Sequence, residues 1–277
     1  MTNITQSSIN RPTGVHLVGS VPLSDSQEVF RTAGSILGGH LLRVPDGETG
    51  VRSGWIRWQH TVFHDNLIFE IAEEAQDAYR PRPQVRVKKD AKLTEASLGR
   101  LGYADAAIAS YRVFARLKET GALPSHVRFQ VSLPTPLASV ASFVAMEARA
   151  VVEPVYESVM LSELGEIVES IPQQELAIQW DVAVEFSLLE SVMPSHLGDN
   201  EAEIVERLVR LGSHVPQGVT LGYHLCYGDS GHKHFKEPED TTKLVKIANS
   251  ISSSIDRNLD WINIPVPRDR SNDAYFE

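Results

Sequence analysis

The sequence predicts an α/β protein, a parallel sheet with helices packed outside it. Seven short apolar or β-branched runs alternate with longer segments of helical spacing. That alternation is the signature of βαβ units, whose strands lie parallel. Several runs also end in chemically useful side chains: Ser20, Asp46 and Glu48, Asp181 and Glu185, His224 and Cys226. A (β/α)8 barrel would gather such residues where strand C-termini and the following loops converge. A doubly wound sheet would place its ligand at a switch point instead. Neither a Gly-x-Gly-x-x-Gly turn nor a phosphate-binding P-loop occurs, which speaks against a nucleotide site.

The elements follow in order. Strands are expected over residues 14–20, 40–44, 84–87, 127–133, 176–184, 219–226 and 259–266, where β-branched and apolar residues are bounded by Gly, Pro, Asn or Asp. Asp181 and Glu185 are both placed in the fifth of these. Helices are expected over 26–37, after the Ser24-Asp25 cap, and over 55–79, a long amphipathic stretch. Further helices are expected over 104–120, within 151–171 ending before Pro172, over 200–214 behind Asp199, and over 240–251. Residues 1–13 read as a disordered or extended lead-in, and 14–277 as a single domain.

Bulk properties narrow the function. A net charge of −10 with no basic run argues against a nucleic-acid or anionic-membrane surface. No apolar stretch approaches the length of a membrane span. The N-terminal MTNITQSSINRPTG lacks the apolar core of a signal peptide, and one cysteine cannot form an internal disulfide. A cytoplasmic protein with a small-molecule substrate is the expectation.

The segment Gly222-Tyr223-His224-Leu225-Cys226-Tyr227-Gly228 holds the single cysteine of the chain. Residues two apart on a strand share a face, so His224 and Cys226 would project together as an imidazole–thiolate pair suited to a metal. The plain alternative is a small core cysteine beside a hydrogen-bonded histidine.

Four strand ends resemble the C-terminal barrel of cobalamin-independent methionine synthase, in the uroporphyrinogen decarboxylase/methionine synthase barrel superfamily. Leu17-Val18-Gly19-Ser20-Val21-Pro22 is similar to that family's Ile-Gly-Ser-Phe-Pro. Asp46-Gly47-Glu48 with Arg52 is similar to its Gly-Glu-x-x-Arg. Ile178-Gln179-Trp180-Asp181 resembles the start of Ile-Gln-x-Asp-Glu-Pro, and His224-Leu225-Cys226-Tyr227 resembles His-Met-Cys-Tyr. The matches keep the family's order and span residues 14 to about 270. The resemblance implies a TIM-type (β/α)8 barrel. It assigns zinc to His224 and Cys226, and substrate contacts to Ser20, Glu48 and Asp181. Zinc would lower a thiol's pKa and give a nucleophile at neutral pH.

The departures weigh against that zinc. Pro265 stands where the family has a ligating Glu, and the family's second cysteine has no counterpart. Val182-Ala183 replaces the Glu-Pro after the strand-five Asp. Two ligands are fewer than the three of a catalytic site. Eleven residues follow the last strand, whereas a further strand and helix need roughly 30. The barrel is therefore expected to lack its last strand–helix unit, leaving an edge that a second copy of the chain could cover.

Three functions remain in contention. One is a methionine-synthase-like enzyme transferring a methyl or alkyl group to a thiol, distinct from true methionine synthase. The second is a metal-independent lyase or decarboxylase using Asp181, Glu48 and His224 as acid and base. The third is a non-catalytic binding or accessory protein. Asp46, Arg52, Ser20, His232, His234 and Arg268 are the further substrate-binding candidates. Each also has an ordinary reading: Ser20 as a cap, Glu48 and Asp181 as ion-pair partners of Arg43 or Arg52, and the His232-Lys233-His234 loop and Arg268 as solvated surface. Trp55 and Trp58, three apart, read as a packed helix face.

Overall fold

The computed structural model describes residues 14–74, 83–231, 233–266 and 273. The elements run α1 (Ser26–Leu37), β1 (Arg43–Pro45), α2 (His60–His64), β2 (Phe69–Glu73), β3 (Gln84–Val87), α3 (Glu95–Leu98) and α4 (Tyr103–Glu119). They continue with β4 (Arg128–Pro134), α5 (Pro136–Phe143), α6 (Met146–Ser170), β5 (Leu176–Val182), α7 (Val184–Leu189), α8 (Asn200–Ser213), β6 (Thr220–Leu225), α9 (Thr242–Ser254) and β7 (Trp261–Asn263). Local chemistry sets several helix starts. Asp25 accepts from Glu28 N at 2.8 Å, Asp199 from Ala202 N at 3.2 Å, and Thr135 from Ala138 N at 3.0 Å with Pro136 following it.

The main sheet is parallel with five strands in the order β1-β4-β5-β6-β7. Its two faces differ in chemistry. Tyr223 reaches the carbonyl of Leu208 in α8, so Leu221, Tyr223 and Leu225 face the helices. Gly222 and His224 then face the other way, with Gln179 and Asp181 beside them in register. Both faces of β5 are buried, the helix side by apolar residues such as Trp180 and the other side under polar groups.

This polar face is concave. In a flat sheet, four inter-strand steps of about 4.8 Å would set β1 and β7 about 19 Å apart. Instead, the guanidinium of Arg43 in β1 lies 3.6 Å from the ring centre of Trp261 in β7. Gly222 makes room for that ring, since a Cβ there would overlap the indole.

The sheet is a half-barrel, and the expected TIM-type barrel, even one lacking its last strand–helix unit, is not formed among the described residues. Two features account for the difference. Residues 84–87, expected as a strand of the barrel, pair antiparallel with β2 in a separate two-stranded sheet, and β4 lies directly beside β1. Residues 14–20, expected as the first strand, touch the sheet through two isolated bridges, Val15–Leu41 and Ser20–Gly47. The Val18 carbonyl accepts from Gln130 at 2.8 Å, Ser132 at 3.0 Å and Gln179 at 2.7 Å. Polar side chains on the concave face thus take over the work of a strand ladder.

Other expectations also change. The helix expected over 55–79 breaks into a 3-10 turn at Trp55–Gln59, the short α2, and strand β2. Glu185 belongs to α7 rather than to the fifth strand. Strand 259–266 shortens to Trp261–Asn263. Helices α3, α5 and α7 were not expected. No helix among the described residues is long and apolar enough to cross a membrane.

Candidate active site

The C-terminal ends of the parallel strands carry the candidate residues. After β1 the chain turns through Gly47 (φ 81°) and Glu48 (φ 49°), then Gly50 (φ 66°) and Trp55 (φ 55°). Glycine adopts the left-handed region freely, but a side-chain-bearing residue there costs roughly 1–3 kcal/mol. Three described non-glycine residues have positive φ, and Glu48 and Trp55 are two of them. Asp46 holds this turn. Its carboxylate accepts from Glu48 N at 2.9 Å and Ser110 at 2.6 Å, and it pairs with Arg52. Asp46 and Arg52 therefore pair with each other beside Glu48, and both line a cavity there.

Glu48 and Asp181 are both buried and within electrostatic reach of one another. Ser20 donates its hydroxyl to Glu48. Burial raises the Glu48 pKa above the ordinary carboxylate value, Asp46 adds to the rise, and Ser20 and Arg52 oppose it. Asp181 is raised well above its ordinary value by burial first, then by the charge of Glu48 and further by Glu185, against hydrogen bonds from Gln179 and Trp55. The charge of Glu48 thus makes ionisation of Asp181 harder, and both buried carboxyls hold their protons more tightly than ordinary ones. A narrow cavity of about 20 Å³ opens beside Glu48, lined among others by Asp46, Arg52, Tyr103, Gln130 and Ser132. The buried Oε1 of Gln130 has no protein partner.

Gln179 organises the layer below. Its amide nitrogen donates to Asp181 Oδ1 at 2.8 Å and Val18 O at 2.7 Å. Its oxygen accepts from His16 Nε2 at 3.0 Å and Trp261 Nε1 at 3.2 Å. Both hydrogens of the amide are engaged, so the oxygen must be the acceptor and His16 carries its proton on Nε2. Burial first, then the charge of Arg43, lowers the His16 pKa to about 4.

His224 lies beside Asp181 in register, and its Nδ1 donates to Asn263 Oδ1 at 2.6 Å, leaving Nε2 as a lone-pair base. Burial lowers its pKa. Cys226 follows on the same face. Burial pushes its thiol up to about 12, with the charges of Asp181, Glu185 and Asp229 adding to the rise against a backbone hydrogen bond from Gly228. A zinc ion needs a thiolate and at least a third ligand. No group of three or more His, Cys, Asp or Glu residues suited to a metal occurs among the described residues. Among the described residues, His224 and Cys226 therefore have no third ligand with which to hold zinc.

Ser20 thus bonds Glu48, Glu48 acts on Asp181, and Asp181 lies beside His224 and acts on Cys226, while of these five only Glu48 lines the cavity. His234 lies to the side, its ring centre 6.0 Å from that of Tyr227 and its Nδ1 3.3 Å from Glu237. His232, Arg268 and the lead-in 1–13 lie outside the described residues. Two contributors escaped the sequence reading, and a third, Glu185, was noticed there only as a strand-end residue. Trp55 was taken for helix packing, but its side chain lies close enough to Asp181 to oppose the rise in that carboxyl's pKa. Gln179 could have been noticed from its spacing, two residues before Asp181 on one face. Glu185, fully buried, accepts from Thr135, while its Oε2 has no partner.

No protein-family model, no curated protein and no solved structure matches this chain. The likeness to the methionine synthase barrel therefore rests on the four short motifs.

Proposed function

We propose that the chain is an enzyme of lyase or decarboxylase type, acting on a small polar substrate by metal-independent acid–base chemistry at the mouth of the half-barrel. The observation that carries this is the buried Glu48–Asp181 couple, each carboxyl raised by burial and by a neighbouring negative charge. Perturbed carboxyls of this kind supply a neutral acid and its conjugate base in one place at pH 7. Asp181 acts as the acid, held by Gln179. Glu48, which accepts from Ser20, is the neighbouring carboxyl whose charge keeps Asp181 a weak acid. His224 offers Nε2 as a base on the neighbouring strand. The strained loop from Glu48 to Trp55 supports the reading, because such strain concentrates at functional sites.

Thiol alkyl transfer is less well supported, because His224 and Cys226 find no third zinc ligand among the described residues.

The test is proton exchange. The protein is incubated in D2O with a panel of small carboxylic, keto and amino acids, and proton NMR follows exchange or loss of carbon dioxide. Turnover of at least one compound, abolished in both Asp181→Asn and Glu48→Gln, is the expected result. Turnover that survives in both variants would remove the couple from the chemistry.

A further inference from the structure

The geometry points to a second binding element on the concave face: the guanidinium of Arg43, laid on Trp261, is a docking point for a small oxyanion, a carboxylate or a phosphate. This deepens the proposed function, and rests on it for the claim that the anion belongs to the substrate.

Arg43 is the first residue of β1, on the same face as Gln179 and Asp181. Its guanidinium is stacked on the Trp261 ring at 3.6 Å, which covers one flat side and leaves the N–H edge in play. Among the described residues it forms no ion pair and no hydrogen bond, and its Nε is buried without a partner. Asp260 is the carboxylate whose charge it feels, and Asp260 is itself engaged by Leu221 N at 2.8 Å. Burial lowers the Arg43 pKa to about 10, so nothing nearby compensates its charge in full. The buried Arg149 shows the contrast: it places Nε and both terminal nitrogens on carbonyls of Val144, Pro194 and Ala141 at 2.9–3.1 Å.

The surroundings are built to hold this arrangement. Trp261 is fixed by its hydrogen bond to Gln179, by the missing side chain of Gly222, and by the His16 ring at 5.9 Å between centres. His16 feels the charges of both Arg43 and His224, so the three lie along one face leading to Asp181. With Nε2 donating to Gln179, His16 Nδ1 is a buried bare acceptor beside the cation. The face therefore runs from a cation at β1 and β7 to the buried carboxyls of Asp181 and Glu48. A planar guanidinium fork matches a carboxylate or phosphate in bidentate fashion.

The test is anion binding by the intact chain, followed in ¹⁵N-labelled protein through the Arg43 Nε–H and Trp261 Nε1–H resonances. Arg43→Lys and Trp261→Phe assign the signals. Sodium acetate and inorganic phosphate are titrated at constant ionic strength against sodium chloride. The expected result is a saturable shift of both signals with acetate or phosphate, with a Kd of about 1–10 mM. Chloride leaves them unmoved, and Arg43→Lys weakens binding by about tenfold or more. Tighter acetate assigns the carboxylate class, and tighter phosphate the phosphate class. Equal shifts with chloride, no saturation, or unchanged binding in a folded Arg43→Lys protein would overturn the inference. Because the readout is binding, it does not depend on Asp181 or Glu48. Anion binding without turnover of any tested compound would leave this site standing and count against the proposed reaction alone.

Discussion

Gln179 Nε2 lies 2.8 Å from Asp181 Oδ1, and the same amide receives the His16 imidazole and the Trp261 indole on its oxygen. One buried side chain thereby joins the acid at the mouth, the segment 14–20 through Val18, and the wall formed by β7. Replacing it breaks several hydrogen bonds at once and leaves buried partners without mates.

Gln179→Leu is therefore expected to lower stability by about 2–4 kcal/mol, since each buried group left unpaired costs about 1–3 kcal/mol. Urea denaturation monitored by circular dichroism measures it. Gln179→Glu should keep part of the network, with its carboxylate facing Val18 O and Asp181 unfavourably. A Leu variant as stable as the parent would mean that the network contributes little.

Asp181 and Glu48 set a pH dependence. Their folded pKa values lie above the ordinary 3.8 and 4.5, so over the interval above those values the native state holds more protons than the unfolded chain. Stability then falls as pH rises through that interval. Asp181→Asn removes an ionisable carboxyl from the couple. It should flatten the fall, raising the thermal midpoint at pH 8 relative to the parent and changing it little at pH 4, while turnover is lost. A parent-like slope in the Asn variant would show that Asp181 is not held protonated.

Much of the helix layer was legible in the sequence. Asp25 and Asp199 mark helix starts through a short acidic side chain at the cap, which is a local signal. The central strands were legible because β-branched and apolar runs around Ile178 and Leu221 carry their own pattern. Barrel closure was not legible. Residues 14–20 have the composition of a strand, but whether their carbonyls meet a backbone ladder or the amides of Gln130 and Gln179 is decided by tertiary packing. The β2–β3 hairpin was hidden for a related reason. Phe69-Glu70-Ile71-Ala72-Glu73 alternates like a strand, yet its Glu and Ala residues favour helix and extend the amphipathic run from Trp55. The left-handed backbone at Glu48 and Trp55 leaves no compositional trace, so the strain at the mouth appears only in three dimensions.

Glu163 in α6 supports the start of α4. Gly102 offers no capping side chain, and the Glu163 carboxylate instead accepts from Leu101 N at 2.6 Å, Gly102 N at 3.0 Å and Ala104 N at 3.0 Å. A negative group also suits the positive end of the α4 dipole. Glu163→Ala should cost about 3 kcal/mol or more by stranding these donors. Glu163→Gln, which keeps one acceptor oxygen and drops the charge, should fall between Ala and the parent. Equal stability of Ala and Gln variants would place the effect in packing instead of hydrogen bonding.

Glu185 gives the most quantitative pH test. Its carboxyl is fully buried behind the mouth, accepts the Thr135 hydroxyl through Oε1, and leaves Oε2 unpartnered. Burial raises its pKa from 4.5 to about 7, against the Thr135 hydrogen bond. The folded value exceeds the unfolded one, so the native state keeps a proton that the unfolded chain gives up between these limits. The contribution is constant below pH 4.5, falls as pH rises to about 7, and levels off above. At 1.36 kcal/mol per pH unit the full drop is about 3 kcal/mol. Glu185→Gln cannot ionise and should lack this drop, so it should gain on the parent steadily from pH 4.5 to 7 and hold its advantage at pH 8. Urea midpoints for the two proteins across pH 4 to 8 measure the gap. A gap that stays the same at every pH would mean that Glu185 ionises in the folded protein as readily as in the unfolded chain. Its negative charge would then stand beside Asp181 at neutral pH and add to the rise in the Asp181 pKa that burial and Glu48 already produce.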